Sequence, residues 1–381
     1  MIKIKSDKII VGENLFNGYL YATNGKILEI STQDKPCDES YDFTGKFVSA
    51  GFIDTHTHGA GGYPFMSCTE EDVINGCNFH FTRGMTTIVP TVSAADIATM
   101  ESALEMISRA KKSGKAKGNI LGAHLEGPYL SPKQAGAQCP EFITPPKKAD
   151  YERLVEKYGN DITRWSYAPE NDANGEFCKY ITSHGIIASA GHTDAKYQDM
   201  QVAIANGCNL ITHLYSCTST VTRDHGFRSL GVIESAFLRD ELFVEIIADG
   251  RHLPYDLINM ILKIKGTDKV ALITDSMDIA GTDIVEGVMG KTEFIVEDGV
   301  CKLKDRSAFA GSVATADCLI RTLTQGCGVS LPIAVKMLTK VPAEILGLNK
   351  GELKAGKDAD IIVFNEDIQV SDIFIAGEKR M

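Results

Sequence analysis

Residues 48–59 read VSAGFIDTHTHG, an apolar run that ends in two histidines one residue apart. The apolar half has the composition of a buried strand. Because side chains alternate along a strand, His56 and His58 would project from the same face and could bind one cation together. The pair alone is a weak indication, since a chain with nine histidines can contain this spacing by chance. Its position at the end of a strand gains weight if other strands end in the same way.

Seven further apolar runs follow along the chain, with helix-like segments between them. The eight candidate strands are Val48–Thr55, Met85–Thr91, Asn119–Leu125, Ile162–Ala168, Gly185–Ala190, Asn209–Thr212, Leu242–Ala248 and Lys269–Thr274. Helix-like segments include Ser93–Lys112, Asp194–Asn206 and Pro254–Lys265. Eight alternating strand and helix units predict an α/β protein built on a (β/α)8 TIM barrel.

The two ends of the chain differ from this middle part. Short strand-like runs separated by turn-forming residues are Lys3–Val11, Gly18–Ala22, Lys26–Ile30, Asp360–Phe364 and Ile373–Ala376. Chain termini often lie close together, so both ends can join one unit. We expect residues 1–49 and 349–381 to form a small β-sandwich domain and residues 50–348 to form the barrel, which holds the metal site.

Composition excludes several classes of protein. The net charge of −11 disfavours a protein that binds nucleic acid or an anionic membrane surface, because such proteins usually carry a basic face. The chain has neither the apolar run of a membrane span nor the features of a signal peptide at its start. Its ten cysteines lack paired CxxC spacing and indicate reduced thiols. We expect a cytoplasmic protein that acts on a small molecule.

At least six candidate strands end in ionisable residues. These residues are Asp54, His56, His58, His124, Glu126, His192, His213, Asp249 and Asp275. A (β/α)8 barrel has its active site at the C-terminal ends of its strands, so these side chains should converge. Converging histidine nitrogens and carboxylate oxygens predict a metal centre. The residues that we place around it are His56, His58, Glu126, His192, His213 and Asp275.

Each of these residues also has a simpler interpretation. Glu126 could be a solvated loop acid, and Asp275 could cap the next helix. His192 and His213 could be hydrogen-bonded histidines of the core. His124 is better explained by packing or by support of the ligands than by metal binding. The histidines without supporting context are expected to be structural: His80, His184 and His225. The complete set favours a metal site more strongly than any one member does.

Short motifs spread over nearly the whole chain resemble a known family. They are Ala50–Gly59 (AGFIDTHTHG), His124–Tyr129 (HLEGPY), Ala190–Thr193 (AGHT), Thr212–Tyr215 (THLY), Ala248–His252 (ADGRH), Ile273–Ser276 (ITDS), Ala310–Ser312 (AGS) and the tail Gly351–Phe364. The chain resembles the amidohydrolase superfamily and, within it, the N-acetylglucosamine-6-phosphate deacetylases. The resemblance implies hydrolysis of N-acetylglucosamine 6-phosphate to glucosamine 6-phosphate and acetate in amino-sugar catabolism.

The resemblance also implies a role for each residue of the site. Glu126, His192 and His213 would bind the main metal ion, which is expected to be Zn²⁺ or Fe²⁺. Asp275 would be the general acid and base, and His252 would hydrogen-bond the substrate. The pair His56 and His58 would hold a second ion if there is one, which gives one or two ions per subunit. Members of this family are usually homodimers.

Two segments depart from the pattern of the resembled family. Gln138 stands where many members have a histidine, and Ser216 and Cys217 stand where many have Asn-Ala. We expect these three residues to contact the substrate. An arginine further along would bind the phosphate, because its planar fork can contact two phosphate oxygens. The resemblance favours Arg228, because Gly231-Val232 follows it much as a Gly-Val stretch follows the family's arginine, and Arg223 is the alternative.

Two other functions compete with this interpretation. The chain could be an amidohydrolase that acts on another N-acyl sugar or on a cyclic amide, or a relative without enzymatic activity. The segments HLEGP and THLY favour the deacetylases over other amidohydrolases. A barrel that served only as a scaffold would not need six converging metal-ligand residues.

Overall fold

The computed structural model describes residues 1–289 and 291–381. Within these residues, eight parallel strands form the wall of a barrel and pair in chain order. The strands are β1 (Phe52–Thr57), β2 (Met85–Ser93), β3 (Ala123–Glu126), β4 (Ile162–Tyr167), β5 (Ile187–Ala190), β6 (Leu210–Ile211), β7 (Phe243–Ile247) and β8 (Val270–Ile273). After β8, the backbone N–H of Asp275 donates to His56 O at 2.9 Å, which joins the last strand to the first. The predicted (β/α)8 barrel is confirmed.

Helices cover the outside of this barrel. The α-helices are α1 (Glu70–Phe81), α2 (Ile97–Ser113), α3 (Lys148–Tyr158), α4 (Glu176–Ser183), α5 (Tyr197–Ala205), α6 (Val232–Leu238), α7 (Tyr255–Lys265), α8 (Ala316–Arg321), α9 (Leu331–Leu338) and α10 (Lys340–Ile345). Shorter helical turns are Pro132–Gln134, Pro140–Phe142, Gly159–Asp161, Pro169–Asn171 and Thr322–Gly326. Helix α2 is typical: Asp96 caps its first turn by accepting from Thr99 N at 2.9 Å, and Leu104 and Ile107 are buried in the main core. No helix in the described part of the chain is both long and apolar enough to cross a bilayer.

Both chain ends contribute to a second sheet, as predicted. Its strands are Ile2–Val11, Asn14–Thr23, Lys26–Ser31, Glu39–Asp42, Phe47–Ala50, Ile361–Phe364, Val370–Ile375 and Glu378–Lys379. The first strand pairs with Glu39–Asp42 at its start and with Phe47–Ala50 at its end, so the sheet divides there. Tyr41 and Phe374, from the two arms, pack edge to face with ring centroids 5.1 Å apart. The sheet therefore encloses a core of its own.

Two predicted strands are interrupted by glycines. The run Val48–Thr55 belongs to two sheets, since Phe47–Ala50 pairs in the terminal sheet and β1 begins at Phe52. A Cβ on Gly51 would lie 2.1 Å from Thr86 Oγ1, so only glycine fits between the two strands. The predicted strand Asn119–Leu125 is likewise divided, at Gly122, into Asn119–Ile120 and β3.

Smaller hairpins lie in the loops. They are Gly59–Ala60 with Tyr63–Pro64, Thr222–Asp224 with Phe227–Ser229, and a three-stranded sheet of Glu286–Met289, Thr292–Glu297 and Val300–Leu303. The backbone N–H of Ala310 donates to Cys301 O in this three-stranded sheet at 3.0 Å.

Candidate metal centre

The six residues predicted around the metal lie together at the C-terminal mouth of the barrel. His56 is on β1, His58 follows it, Glu126 ends β3, and the other three follow β5, β6 and β8 as His192, His213 and Asp275. All are buried except His58, which is partly buried. The fold thus brings together residues that are up to 219 positions apart, because parallel strands end at the same rim.

Glu126 is at the centre of this cluster. Its Oε1 lies 3.0 Å from His213 Nε2, 3.2 Å from His192 Nε2 and 3.4 Å from His56 Nε2. Its Oε2 lies 3.2 Å from His58 Nε2. Asp275 Oδ1 faces the same pair of histidines, 3.3 Å from His56 Nε2 and 3.2 Å from His58 Nε2.

These separations fit a metal ion. Two donors that are each about 2.1 Å from one ion at a tetrahedral angle lie about 3.4 Å from each other. Among the described residues, three groups of donors have all their ligand atoms within 4.8 Å of one another: Glu126, His192 and His213; His56, His58 and Glu126; and His56, His213 and Asp275. Mixed imidazole and carboxylate donors suit first-row transition metals. Glu126 belongs to two of the groups and is therefore placed to contact two ions.

Hydrogen bonds orient the histidine rings for metal binding. His192 Nδ1 lies 2.9 Å from Gln134 O, and His213 Nδ1 lies 3.0 Å from Ser216 O. A carbonyl oxygen only accepts, so each Nδ1 carries the proton and each Nε2 presents its lone pair to the cluster. This tautomer is the one that a metal ligand needs.

Three residues of the cluster have an unusual backbone conformation. His192, His213 and Asp275 have φ angles of 46°, 29° and 47°. Residues other than glycine rarely adopt this left-handed backbone region, which costs on the order of 1–3 kcal/mol per residue. Each of the three follows the end of its strand, so the strained conformation turns the side chain into the mouth of the barrel. The local sequence gives no signal for this strain.

His124 supports the cluster and is outside the three donor groups among the described residues. Its Nδ1 lies 3.1 Å from Thr91 Oγ1 and its Nε2 lies 2.7 Å from Ser166 Oγ. Its ring packs edge to face on His56, with centroids 4.5 Å apart. Burial and nearby Arg164 hold the pKa of His124 well below its usual value, so the ring is neutral.

A buried ion pair lies deeper in the barrel. Arg164 on β4 and Glu245 on β7 are fully buried and in direct contact. Thr55 Oγ1 donates to the same carboxylate at 2.5 Å, and Arg164 Nη2 donates to Thr212 Oγ1 at 2.9 Å. Ser166 Oγ lies 2.8 Å from Thr212 Oγ1 and also contacts His124. This polar network ties four strands together beneath the ligands.

His80 supports the first strand end. Its Nε2 lies 2.9 Å from Thr57 Oγ1 and 3.1 Å from Gly59 O. Burial lowers the pKa of His80 to about 4. His80 thus has a structural role, because its ring contacts the residues on either side of His58. In the described part of the chain, the side chain of His184 hydrogen-bonds only to residues of α4. Its Nδ1 lies 2.9 Å from Tyr180 O.

A cleft opens above the cluster, and four of the predicted substrate residues line it: Gln138, Ser216, Cys217 and His252. Gln138 Nε2 donates to Glu126 Oε2 at 2.9 Å, and its Oε1 accepts from Ala94 N at 2.9 Å. His252 Nδ1 lies 2.8 Å from Asp249 Oδ2. Gln138 therefore contacts a candidate ligand directly, a contact that the sequence does not indicate.

The two predicted phosphate-binding arginines lie elsewhere. Arg223 and Arg228 face each other across the hairpin Thr222–Ser229, and both are exposed. Arg228 Nη1 donates to Gly226 O at 3.1 Å. Neither arginine lines the cleft of its own chain as far as the described residues extend. Their phosphate role stays a prediction.

The cleft wall also contains residues outside the predicted site, among them Ser93 and Phe309. Ser93 ends β2, and its Oγ lies 3.0 Å from His58 Nδ1. Phe309 packs its ring 4.8 Å from the ring of His252. Both were within reach of sequence reasoning, because Ser93 follows a predicted strand and Phe309 directly precedes the AGS motif.

Comparison with known proteins gives the family. The pattern that defines the amidohydrolase family matches residues 47–380. The chain belongs to the amidohydrolase family. Amidohydrolases generally depend on divalent metal ions, and the three donor groups are the candidates for binding them here.

Amino-sugar deacetylases are among the most similar relatives of this amidohydrolase. It is 31% identical over 376 residues to N-acetylglucosamine-6-phosphate deacetylase of Bacillus subtilis, which covers 96% of this chain and 93% of that protein. It is 30% identical over 355 residues to N-acetylgalactosamine-6-phosphate deacetylase of Shewanella sp., covering 91% and 86%. The crystal structure of N-acetyl-D-glucosamine-6-phosphate deacetylase from Mycobacterium smegmatis matches over all of both chains, with a TM-score of 0.92 and 27% identity. The family resemblance seen in the motifs is confirmed.

Proposed function

We propose that this amidohydrolase removes the N-acetyl group of N-acetylglucosamine 6-phosphate and releases glucosamine 6-phosphate and acetate. The observation that carries the proposal is the cluster of five metal-ligand residues with Asp275 at the floor of a cleft. The amino-sugar-phosphate deacetylases among its relatives support the choice of substrate.

We assign Glu126, His192 and His213 to one divalent ion, with Zn²⁺ as the first choice and Fe²⁺ as the alternative. When bound, the ion supplies a Lewis acid that polarises the amide carbonyl and makes water more acidic. His56 and His58 face Glu126 and Asp275 and provide the donors for a second ion. Metal analysis of the purified protein gives both the element and the number of ions per subunit.

Asp275 is the proposed general base and acid. Its carboxylate faces the cleft beside His56 and His58 and accepts a proton from the attacking water. The water oxygen bonds to the carbonyl carbon, and Asp275 then delivers the proton to the amine nitrogen as the C–N bond breaks. The atoms balance with water as the only co-substrate.

The cleft wall would hold the sugar. The carboxylate of Asp249 accepts from His252 Nδ1, so a neutral His252 presents Nε2 as an acceptor for a substrate hydroxyl or N–H. Gln138, Ser216 and Cys217 lie around the same cleft. Arg228 is the proposed phosphate ligand, with Arg223 as the alternative.

N-Acetylgalactosamine 6-phosphate is the second candidate substrate, because two relatives are named for it. The test measures acetate release from both phosphorylated sugars and from N-acetylglucosamine without phosphate. The proposal expects the highest kcat/KM with N-acetylglucosamine 6-phosphate. A higher kcat/KM with the galactosamine substrate would replace the sugar, and no acetate from any of the three would overturn the deacetylase function.

We also propose that the protein acts as a homodimer in the cytoplasm. The relatives named as amino-sugar-phosphate deacetylases support a role in the metabolism of small molecules. Sedimentation of the purified protein tests the dimer, and cell fractionation tests the location.

A further inference from the structure

A second cavity adjoins the metal cluster at His58 and is not lined by His252. It measures about 430 Å³, many times the roughly 30 Å³ that one water molecule occupies in the liquid. Its apolar lining residues are Pro64, Met66, Ala94, Ala95, Ala137, Cys139, Phe142, Met277 and Val288. Nothing in the proposed deacetylation of an acetyl group needs a cavity of this size.

The second cavity and the cleft meet at the metal cluster. The residues that line both are His58, Ser93, Ala137, Gln138 and Met277. His58 Nε2 is only 3.2 Å from Glu126 Oε2, so the second cavity begins at a candidate ligand. The cluster can therefore be reached from two sides, and the second cavity has the larger share of apolar lining.

The charged groups at the edge of the second cavity are mostly engaged in contacts of their own. Asp96 accepts from Thr99 N at 2.9 Å and from Thr99 Oγ1 at 2.8 Å. Lys291 donates to Glu141 at 2.8 Å and lies over the ring of Phe142. Burial raises the pKa of Asp278, the third charged group at this edge. An uncharged occupant thus matches this cavity better than an ion does.

A substrate amide has two substituents, which point in opposite directions in the trans form. One is the sugar on the nitrogen, and the other is the alkyl group on the carbonyl carbon. If the carbonyl faces the metal cluster with the sugar in the cleft that contains His252, the alkyl group is directed towards the second cavity, which adjoins that cleft at His58. An acetyl methyl group would leave most of that cavity unfilled.

We propose that the second cavity is an acyl-chain subsite and that this amidohydrolase also hydrolyses N-propionyl and N-butyryl amino-sugar phosphates. The inference rests on the proposed deacetylase function and extends its substrate class. The reaction is the same: water oxygen bonds to the acyl carbon, the C–N bond breaks, and the amine nitrogen takes the proton. The products are the amino-sugar phosphate and propionate or butyrate.

The first test compares kcat/KM for N-acetyl-, N-propionyl- and N-butyrylglucosamine 6-phosphate with the unmodified enzyme. Each methylene group that is buried improves binding by up to about fourfold, which offsets the steric cost of the longer chain. We expect all three kcat/KM values to agree within about tenfold. Butyryl turnover more than about tenfold below acetyl turnover would overturn the subsite alone, whereas loss of all three activities would overturn the deacetylase function with it.

The second test fills the cavity. Ala95→Leu adds three carbons to its wall, and we expect kcat/KM for the butyryl substrate to fall about tenfold or more while the value for the acetyl substrate changes by less than about threefold. Equal losses for both substrates would contradict the subsite.

A second variant, at Val288 in the lining of the cavity, tests the same proposal if Ala95→Leu does not fold. Val288 lines the cavity and Val285 does not, yet the two are equally exposed at 62% and 61%. Val288→Phe should lower the butyryl-to-acetyl ratio of kcat/KM, and the matched control Val285→Phe should leave the ratio unchanged. The same ratio in both variants would overturn the proposal.

Discussion

The strand ends around Glu126 and the hairpin Thr222–Ser229 are both predicted to be functional, but their side chains differ in burial. At the strand ends, histidines and carboxylates are buried, and hydrogen bonds fix the rings of His192 and His213. In the hairpin, Arg223 and Arg228 are exposed, and the neighbouring Phe227 is 79% exposed. Backbone pairing in the barrel fixes where a strand ends, but it does not fix where a loop side chain reaches. We therefore expect experiments to confirm the roles assigned at the strand ends more often than the roles assigned in the hairpin.

The largest expected effect is at the centre of the cluster. His213→Ala removes a donor 3.0 Å from Glu126 and should empty the proposed main metal site, with activity lost. Metal content and acetate release would be measured on the same sample. His56→Ala is the matched control, because it should leave the ion at Glu126, His192 and His213 in place. Retention of full metal and activity by His213→Ala would show that the strand-end assignment is wrong.

Asp275→Asn separates chemistry from metal binding. The amide keeps the size of the side chain but cannot take a proton, so kcat should fall by roughly 10²–10⁴-fold. Metal content should stay near that of the unmodified enzyme. A variant with near-normal kcat refutes the role of Asp275 as the general base.

The ion pair beneath the ligands should matter for stability. Arg164→Met leaves the buried carboxylate of Glu245 without its partner, which should cost about 3–5 kcal/mol of unfolding free energy. The double variant Arg164→Met with Glu245→Leu should recover much of that loss, since no charge is then left unpaired. Urea unfolding measures both variants. A loss below about 1 kcal/mol for the single variant would contradict this account of the pair.

The smallest effect is expected in the hairpin. If Arg228 binds the phosphate, Arg228→Ala should weaken binding of the phosphorylated sugar by about 1.5–3 kcal/mol, seen as a higher KM. Turnover of an N-acetyl sugar without phosphate should hardly change. Arg223→Ala is the matched variant on the opposite strand, and a KM effect there alone would move the role to Arg223. No effect of either variant would remove the hairpin from the substrate site.

Some features of this fold and of the metal cluster can be predicted from the sequence, and others cannot. The order of strands and the residues at their ends follow from local patterns, because a barrel collects all strand ends at one rim. The break at Gly51 depends on the close approach of Thr86, which is distant in sequence. Arg164 lies inside the predicted strand Ile162–Ala168, and its partner Glu245 is 81 positions away. Contacts of this kind are set by tertiary packing, so local patterns do not contain them.

The positions of loop residues show the same limit. The sequence motifs place Gln138 near the substrate, but its hydrogen bond to Glu126 depends on how the loop after β3 folds back. The second cavity is formed by segments around residues 66, 95, 142 and 288, which no single motif connects. The left-handed φ angles of His192, His213 and Asp275 likewise appear only once the strands are in place.

We propose that the strand-end cluster is a catalytic metal site for an N-acetyl amino-sugar phosphate. The most direct measurement is acetate release from N-acetylglucosamine 6-phosphate before chelation, after exhaustive chelation and after Zn²⁺ or Fe²⁺ is returned. We predict activity that disappears with the metal and comes back when one equivalent or two per subunit are restored. Undiminished acetate release from protein shown to contain no metal would contradict a catalytic role for the metal.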